Sequence, residues 1–490
     1  PVVLIAVGAF AAMAALSIVA ILLMTLFTSS DERPVSTIST APTEEIPVVA
    51  VLPFVPSSDA NDSEFFANAM HNDLLTQLAK LQSLRVISST SVQEYRGIER
   101  NVRTIGQELG ADVILEGKVQ IALDQIRIKA QLVDAESDKH LWAGSYDRDV
   151  SPVSIFNMQS EIAQAIATAM HATLTEQDNQ RLTEIPTENM AAYRAYHRAM
   201  QMRDRDASAP GGSAYVEALE EAVALDSAFG RAWAELVTAL AFQGSGGQDS
   251  DQTLRAERAL AQLEAVAPNS VDYLVGQGAY AYYALGDYDR AHELISQAIT
   301  LTPSDVNAIR LRSWIENRQG NFDALVESRR EARRLDPRNP VLTDAFLSGL
   351  MVTHRYDEVL AEVEVSAVES LTLARIRNLL DFREHRDFGR LQEQVQDLCR
   401  SVDQPDCGWL EHIGNRDFAA AMESLNGSVE EVDSQSLSTT DRHRIFTLWL
   451  MGDEQIPEAD WQRWWEQVEK ETDQDAEHPP ATFYLSSALL

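Results

Sequence analysis

The chain has 490 residues, 45% of them hydrophobic, with 75 acidic against 40 basic side chains and a formal net charge of -35. That length is too great for one core and leaves two or three domains as the expectation. The excess of carboxylates would repel phosphates over most of the surface, which argues against direct nucleic-acid binding by these residues and is otherwise explained by solubility.

Residues 1–30 carry no charged side chain, and 2–27 is apolar apart from Gly8, Ser17 and Thr25. A helix of that run would be about 39 Å long, enough to cross the roughly 30 Å hydrocarbon layer with some tilt. The reading is a transmembrane helix. A cleaved signal peptide fits less well, because the run is too long and no basic segment precedes it. The opening on Pro1 rather than Met suggests that an amino-terminal portion is missing. Up to residue 79 the only basic side chain is Arg33, whereas Asp31, Glu32, Glu44 and Glu45 follow the apolar run. A flank poor in Lys and Arg belongs away from the cytoplasm, so the expected location is the bacterial inner membrane, single-pass, with the later domains periplasmic.

A Ser-, Thr-, Pro- and acid-rich linker occupies residues 31–45. The pattern then changes. Residues 46–54 read as a buried strand, 63–81 as an amphipathic helix, 84–88 as a second strand and 102–109 as a helix stopped by Gly110. Residues 111–121 and 125–133 form a hairpin, in which Ile126, Ile128, Ala130 and Leu132 alternate with Arg127, Lys129 and Gln131. A strand at 141–146 and a helix at 154–174 complete a β-α-β-α-β-β-β-α order, a small mixed sheet with helices on one or both faces. The domain is assigned to residues 46–178.

From Asn189 onward the chain reads as helical. Gly286-Asp-Tyr-Asp-Arg-Ala291 is echoed by Gly320-Asn-Phe-Asp-Ala-Leu325 and His354-Arg-Tyr-Asp-Glu-Val359, with Tyr288, Phe322 and Tyr356 spaced by 34 residues, and Phe388 and Phe418 continuing the series. Such a period marks a solenoid of helical hairpins, six or seven of them between 189 and 470, with the copies after about 360 degenerate. The array is assigned to 186–470, with a capping helix around Trp461, Trp464 and Trp465, and a C-terminal tail to 471–490. Cys399 and Cys407 flank a turn-like segment. In an oxidising compartment they could close a small disulfide loop, two unrelated buried thiols being the other reading, and no histidine lies at metal-ligand spacing nearby.

Two resemblances follow from these residues. Val51-Leu-Pro-Phe54, Leu84-Arg-Val-Ile-Ser-Ser-Thr-Ser91, Ile105-Gly-Gln-Glu-Leu-Gly-Ala-Asp-Val-Ile-Leu-Glu-Gly117, Ile128-Lys-Ala-Gln-Leu-Val-Asp-Ala135 and His140-Leu-Trp-Ala-Gly-Ser-Tyr-Asp-Arg-Asp149 resemble the TolB amino-terminal-like domain, collinearly from about 46 to 174. Tyr282, Gly286, Tyr288, Ala291, Ile295, Ala298 and Pro303 resemble the tetratricopeptide consensus. The fold class is therefore multidomain: a transmembrane helix, a small α/β domain, and an all-α tetratricopeptide solenoid. In proteins with this pairing, a winged-helix DNA-binding domain often lies upstream, less often an adenylate cyclase or protein kinase domain. The resemblance thus implies the sensory part of a membrane-bound transcriptional regulator. The alternatives are the regulatory half of a cyclase or kinase, or a cell-envelope assembly factor without cytoplasmic output.

No phosphate-binding loop, Gly-x-Ser-x-Gly elbow or His-Glu-x-x-His pattern occurs, and the segment after the first strand lacks the glycines of a dinucleotide turn. Neither catalysis nor a cofactor is expected. His71 and His140 read as half-exposed structural residues, and Asp147 and Asp149 around Arg148 as a salt-bridged strand end. Binding remains. The tetratricopeptide resemblance puts the first helix of each hairpin on the concave face, which places Tyr273, Tyr280 and Tyr283 there beside Arg310, Trp314 and Asn317, at spacings that share a helical face. That set suits a protein or peptide ligand, although the tyrosines could instead only pack hairpin against hairpin. Dimerisation is the simplest route for a signal through one membrane helix.

Overall fold

The computed structural model describes residues 46–377, apart from short stretches at 58–60, 98–99, 123, 206–211, 246–249, 354, 367, 369–372 and 375. The chain divides between Ile46 and Pro47 into two compact units, and all elements described below belong to the second. The transmembrane helix, the linker, Cys399 and Cys407, the later hairpins, the capping helix and the tail lie outside the described residues. Among those described, no helix is long and apolar enough to cross a membrane.

The sheet unit runs β1 (Val48–Val51), β2 (Val55–Pro56), α1 (Asn61–Ala79), β3 (Arg85–Val86), α2 (Ser89–Val92), α3 (Val102–Leu109), β4 (Val113–Ala122), β5 (Gln125–Asp134), β6 (His140–Asp149), α4 (Pro152–Ala169) and α5 (Glu176–Leu182). Strand order is β3-β1-β4-β5-β6, parallel across β3, β1 and β4 and antiparallel from β4 to β6. Alternation divides the side chains of the short parallel strands between two cores. Val49, Val51, Leu115 and Val86 face α1 and α4, whereas Ala50, Ile114 and Ile87 face α2 and α3. Only the first core continues under β5 and β6, through Ile126, Ile128 and Leu132, so the other face of these long strands is wet.

Local chemistry explains the boundaries. Asn101 caps α3 by accepting from the Arg103 N–H, and Gly110 ends it with φ 62°. The helix expected over 154–174 ends early, at Ala169, and a separate short helix begins at Glu176. His171 adopts φ 56°, and Thr175 with Asp178 forms a reciprocal capping box that starts α5. In β4, Gly117 is required by packing, since a Cβ there would fall 2.5 Å from the ring of the fully buried Phe54. Gly117→Ala should therefore lower stability by about 1–3 kcal/mol through overpacking, as read from the urea midpoint.

Five helical hairpins follow among the described residues: α6 (Met190–Arg205) with α7 (Ser213–Leu225), α8 (Gly230–Gln243) with α9 (Ser250–Val266), α10 (Val271–Tyr280) with α11 (Tyr288–Leu301), α12 (Val306–Arg318) with α13 (Phe322–Leu335), and α14 (Pro340–Val352) with α15 (Tyr356–Val365). The repeated phrase has a backbone meaning. Gly286 and Gly320 adopt φ 63° and 69° at the tips of the third and fourth hairpins, and the next residue, Asp287 or Asn321, caps the second helix by accepting from Arg290 N or Ala324 N. In the third copy of the phrase Arg355 stands at that cap and makes no such bond. Between the helices, Ala291, Ile295 and Ala298 are fully buried and allow close approach.

Candidate ligand-binding site

The sheet unit and the helical array share two polar seams. In the first, Asp73 of α1 is 2% exposed and accepts hydrogen bonds from Gln159 Nε2 of α4 (3.0 Å) and Tyr193 OH of α6 (2.8 Å). His197 Nε2 of α6 lies 3.2 Å from the same carboxylate, and Arg231 Nη1 of α8 lies 3.4 Å from its other oxygen. Burial pushes the Asp73 carboxyl up, but His197, Arg231 and Tyr193 together hold it below its ordinary value. Tyr193 packs edge-on against Phe65 and Phe156, so the polar contact sits inside an aromatic wall.

Lys80, immediately past the end of α1, donates to the Arg181 carbonyl at 2.9 Å. Its burial, reinforced by Arg231, lowers the ammonium to about 8 from the ordinary 10.5 against the pull of Glu184 and Asp272. A native value below the unfolded one means that the charged form is disfavoured in the fold. The unfolded chain then holds the proton that the native chain gives up, and stability from this group rises with pH from about 8 toward 10.5. Urea midpoints of wild type and Lys80→Met, compared between pH 7 and 10, should show the wild type gaining relative to the variant.

The second seam closes the β3 edge. Val86 N donates to Ser304 Oγ (3.2 Å) and Ser88 N to the Leu335 carbonyl (2.7 Å), while Ser91 Oγ donates to the buried Asp336 (2.5 Å). The residues that receive it lie in the turns after α11 and α13.

Sequence reasoning placed the ligand face elsewhere, on the array. Tyr273 and Tyr280 are half-buried on α10 and lie toward Glu264 and Glu257 of α9; burial, then those carboxylates, raise both phenols. Tyr283 falls in a π-helical turn, Ala281–Leu285, which shifts the helical phase after Tyr280. Its ring meets Phe242 of α8 edge-on at 5.4 Å and Tyr282 at 4.8 Å. Burial, then Tyr282, pushes its phenol far up against the opposing pull of Arg310. Arg310 itself stacks over Trp314 at 5.3 Å on α12. Asn317 is half-buried on the same helix.

The structure thus brings Tyr283, Arg310 and Trp314 into one strip, while Tyr273, Tyr280 and Tyr283 all pack on one apolar cluster with the preceding hairpins. Phe242 extends the strip, and sequence reasoning missed it. Phe242 is 45% and Trp314 38% exposed, an unusual concession for such rings. Charged groups continue the inner surface: Arg203 Nη1 bonds Glu235 at 2.7 Å, and Tyr215 OH donates to Glu235 at 2.9 Å. The strip can hold an extended chain by stacking and by one guanidinium.

Of the histidines, His71 is not half-exposed. It is buried, with Nε2 3.0 Å from the Val51 carbonyl, because its helix face turns toward β1. His140 is exposed at the start of β6, and Asp147 bonds Arg127 Nε at 2.5 Å, a surface pair.

A family match falls on the sheet unit. Residues 45–165 match the family described as HilA/YgeH-like transcriptional regulator, second domain. The protein named putative adenylate cyclase 3 of Rhizobium meliloti (strain 1021) is 36% identical over 130 residues, 26% of this chain and 22% of that protein. This chain therefore matches less than a quarter of that relative's length. The crystal structure of lipoprotein GNA1162 from Neisseria meningitidis aligns with 26% of this chain and 99% of its own at 18% identity, with a TM-score of 0.19, too low to bear on function. The chain is thus similar over residues 45–165 to a domain of transcriptional regulators, and over 130 residues to part of a protein named as a cyclase.

Proposed function

We propose that this chain is the sensing part of a membrane-anchored regulator, in which a tetratricopeptide array gathers a protein or peptide outside the cytoplasm. A TolB amino-terminal-like domain connects the array to a transmembrane helix in residues 1–30. The observation that carries the binding role is the strip Phe242–Tyr283–Arg310–Trp314, where large rings stay in contact with solvent beside a partly buried cation. The chain acts by binding rather than catalysis. The family match over 45–165 supports a transcriptional output, and in this reading a winged-helix domain stands ahead of residue 1 in the whole protein. The match to a protein named putative adenylate cyclase 3 supports the second reading, a cyclase output. A basic recognition helix upstream separates the first from metal-binding aspartates, which mark the second.

Panning a random peptide phage library on the immobilised full chain tests the binding role. Trp314→Ala and Phe242→Ala should each weaken the selected peptides by about tenfold or more, with unfolding midpoints unchanged. Equal capture by both variants would remove the strip from the reading. Protease added outside spheroplasts should digest the array; digestion only in inverted vesicles would reverse the topology.

A further inference from the structure

The two edges of the sheet are treated differently. β3 is two residues long, and the outward N–H groups of Val86 and Ser88 are taken up by Ser304 and Leu335. At the other edge β6 runs for ten residues and, among the described residues, pairs with β5 alone. The bond from Val150 N to the Asp124 carbonyl fixes the phase of that pairing. Even-numbered residues of β6 address β5, so the backbone groups of Ala143 and Ser145 point outward along a free edge, which ends at Asp147, whose carbonyl accepts from Arg148 Nη1.

Folded proteins usually blunt such an edge with proline, lysine, inward charge or a covering segment. Here Leu141-Trp-Ala-Gly-Ser-Tyr146 contains no proline and no charge, and the single register shift lies at the strand's beginning, beside Leu132 and Val133.

We propose that this edge pairs with β6 of a second copy of the chain, antiparallel and centred on Gly144, so that one sheet runs through both copies across a two-fold axis. An axis normal to the sheet keeps α4 on the same side of both halves and requires paired residues to share a face. Centring on Gly144 then sets Ala143 opposite the second copy's Ser145 and Trp142 opposite its Tyr146. The aromatic pair lies on the face covered by α4. Centring on Ser145 instead would put Trp142 opposite Arg148 and lose the aromatic pair. Gly144 suits the centre, where opposed residues come closest: its two flanking rings already occupy the space above it, a Cβ there falling 2.5 Å from Trp142 and 3.0 Å from Tyr146. The surface is separate from the aromatic strip, so it stands whether or not that strip binds peptide, and it gives the dimer route a specific site.

The test uses the full chain in nanodiscs or detergent, with mass photometry and analytical ultracentrifugation. A concentration-dependent dimer is expected. Ser145→Pro, which removes an outward N–H, and Ala143→Lys/Ser145→Lys, which opposes like charges, should each raise its dissociation constant by about tenfold or more with circular dichroism unchanged. In a Cys399→Ser/Cys407→Ser background, Ala143→Cys/Ser145→Cys should form an intermolecular disulfide under mild oxidation, whereas Lys118→Cys, exposed on β4 away from the edge, should not. A monomeric full chain, a dimer that both edge variants leave intact, or equal cross-linking through position 118 would overturn the proposal.

Discussion

Replacing Asp73 with alanine lowers the free energy of the first unfolding transition by about 3–5 kcal/mol, measured by urea denaturation of the full chain followed by tyrosine and tryptophan fluorescence. The magnitude comes from what the carboxylate leaves behind. Arg231 would lose its ion-pair partner in a buried setting, and Tyr193 OH and Gln159 Nε2 would each lose an acceptor. Asp73→Asn separates charge from shape, because the amide keeps the volume and one acceptor. The native carboxyl value is held below its unfolded 3.8, so the stability it supplies is present above that pH and is lost as pH falls through the lowered native value. The gap between wild type and Asp73→Asn should accordingly be full at neutral pH and shrink below about pH 3.8. A gap that stayed constant into acid would mean that Asp73 acts through packing alone.

Tyr193→Ala should cost a comparable amount, about 3–5 kcal/mol, for a different reason. The ring is fully buried where α1, α4 and α6 meet, in contact with Phe65, Phe156 and His197, and its removal opens a cavity that backbone on three sides cannot fill. Tyr193→Phe keeps the ring and loses only the bond to Asp73, for about 1–2 kcal/mol. Combined with Asp73→Ala, Tyr193→Phe should add almost nothing, since its acceptor is already gone. A double-mutant cycle with full additivity would show that the two side chains do not interact.

Much of the architecture could be read from local pattern. The alternation Ile126, Ile128, Ala130, Leu132 identifies β5 and its buried face, and the Gly-Asp/Asn-aromatic phrase encodes a left-handed turn followed by a helix cap. These signals are short-range, set by backbone sterics and by which side chain can reach the next N–H. The seams were not legible for the opposite reason. Asp73 and His197 are separated by 124 positions, and nothing near either in sequence distinguishes a carboxylate that will be buried against a histidine from one on a wet helix. His71 was misjudged in the same way, its polar neighbours Asn72 and Asp73 suggesting exposure while tertiary packing buried it. Of the expected ligand face, Tyr283, Arg310 and Trp314 share a strip, and Tyr273 and Tyr280 pack on the same apolar cluster as Tyr283. Phe242 gave no signal because it ends a helix whose repeat phrase is absent.

The attachment points of the sheet unit bear on mechanics. Asp73 ties it to α6 and α8, in the first two hairpins, and the β3 edge ties it to the turns after α11 and α13, which end the third and fourth. A row of hairpins held at intervals along four consecutive members cannot shift freely: it behaves like a spring with a splint fastened along it. Any guest that tightened or loosened the coil would have to strain one set of fastenings or release it, and the work would arrive at α1 and β3 as torque.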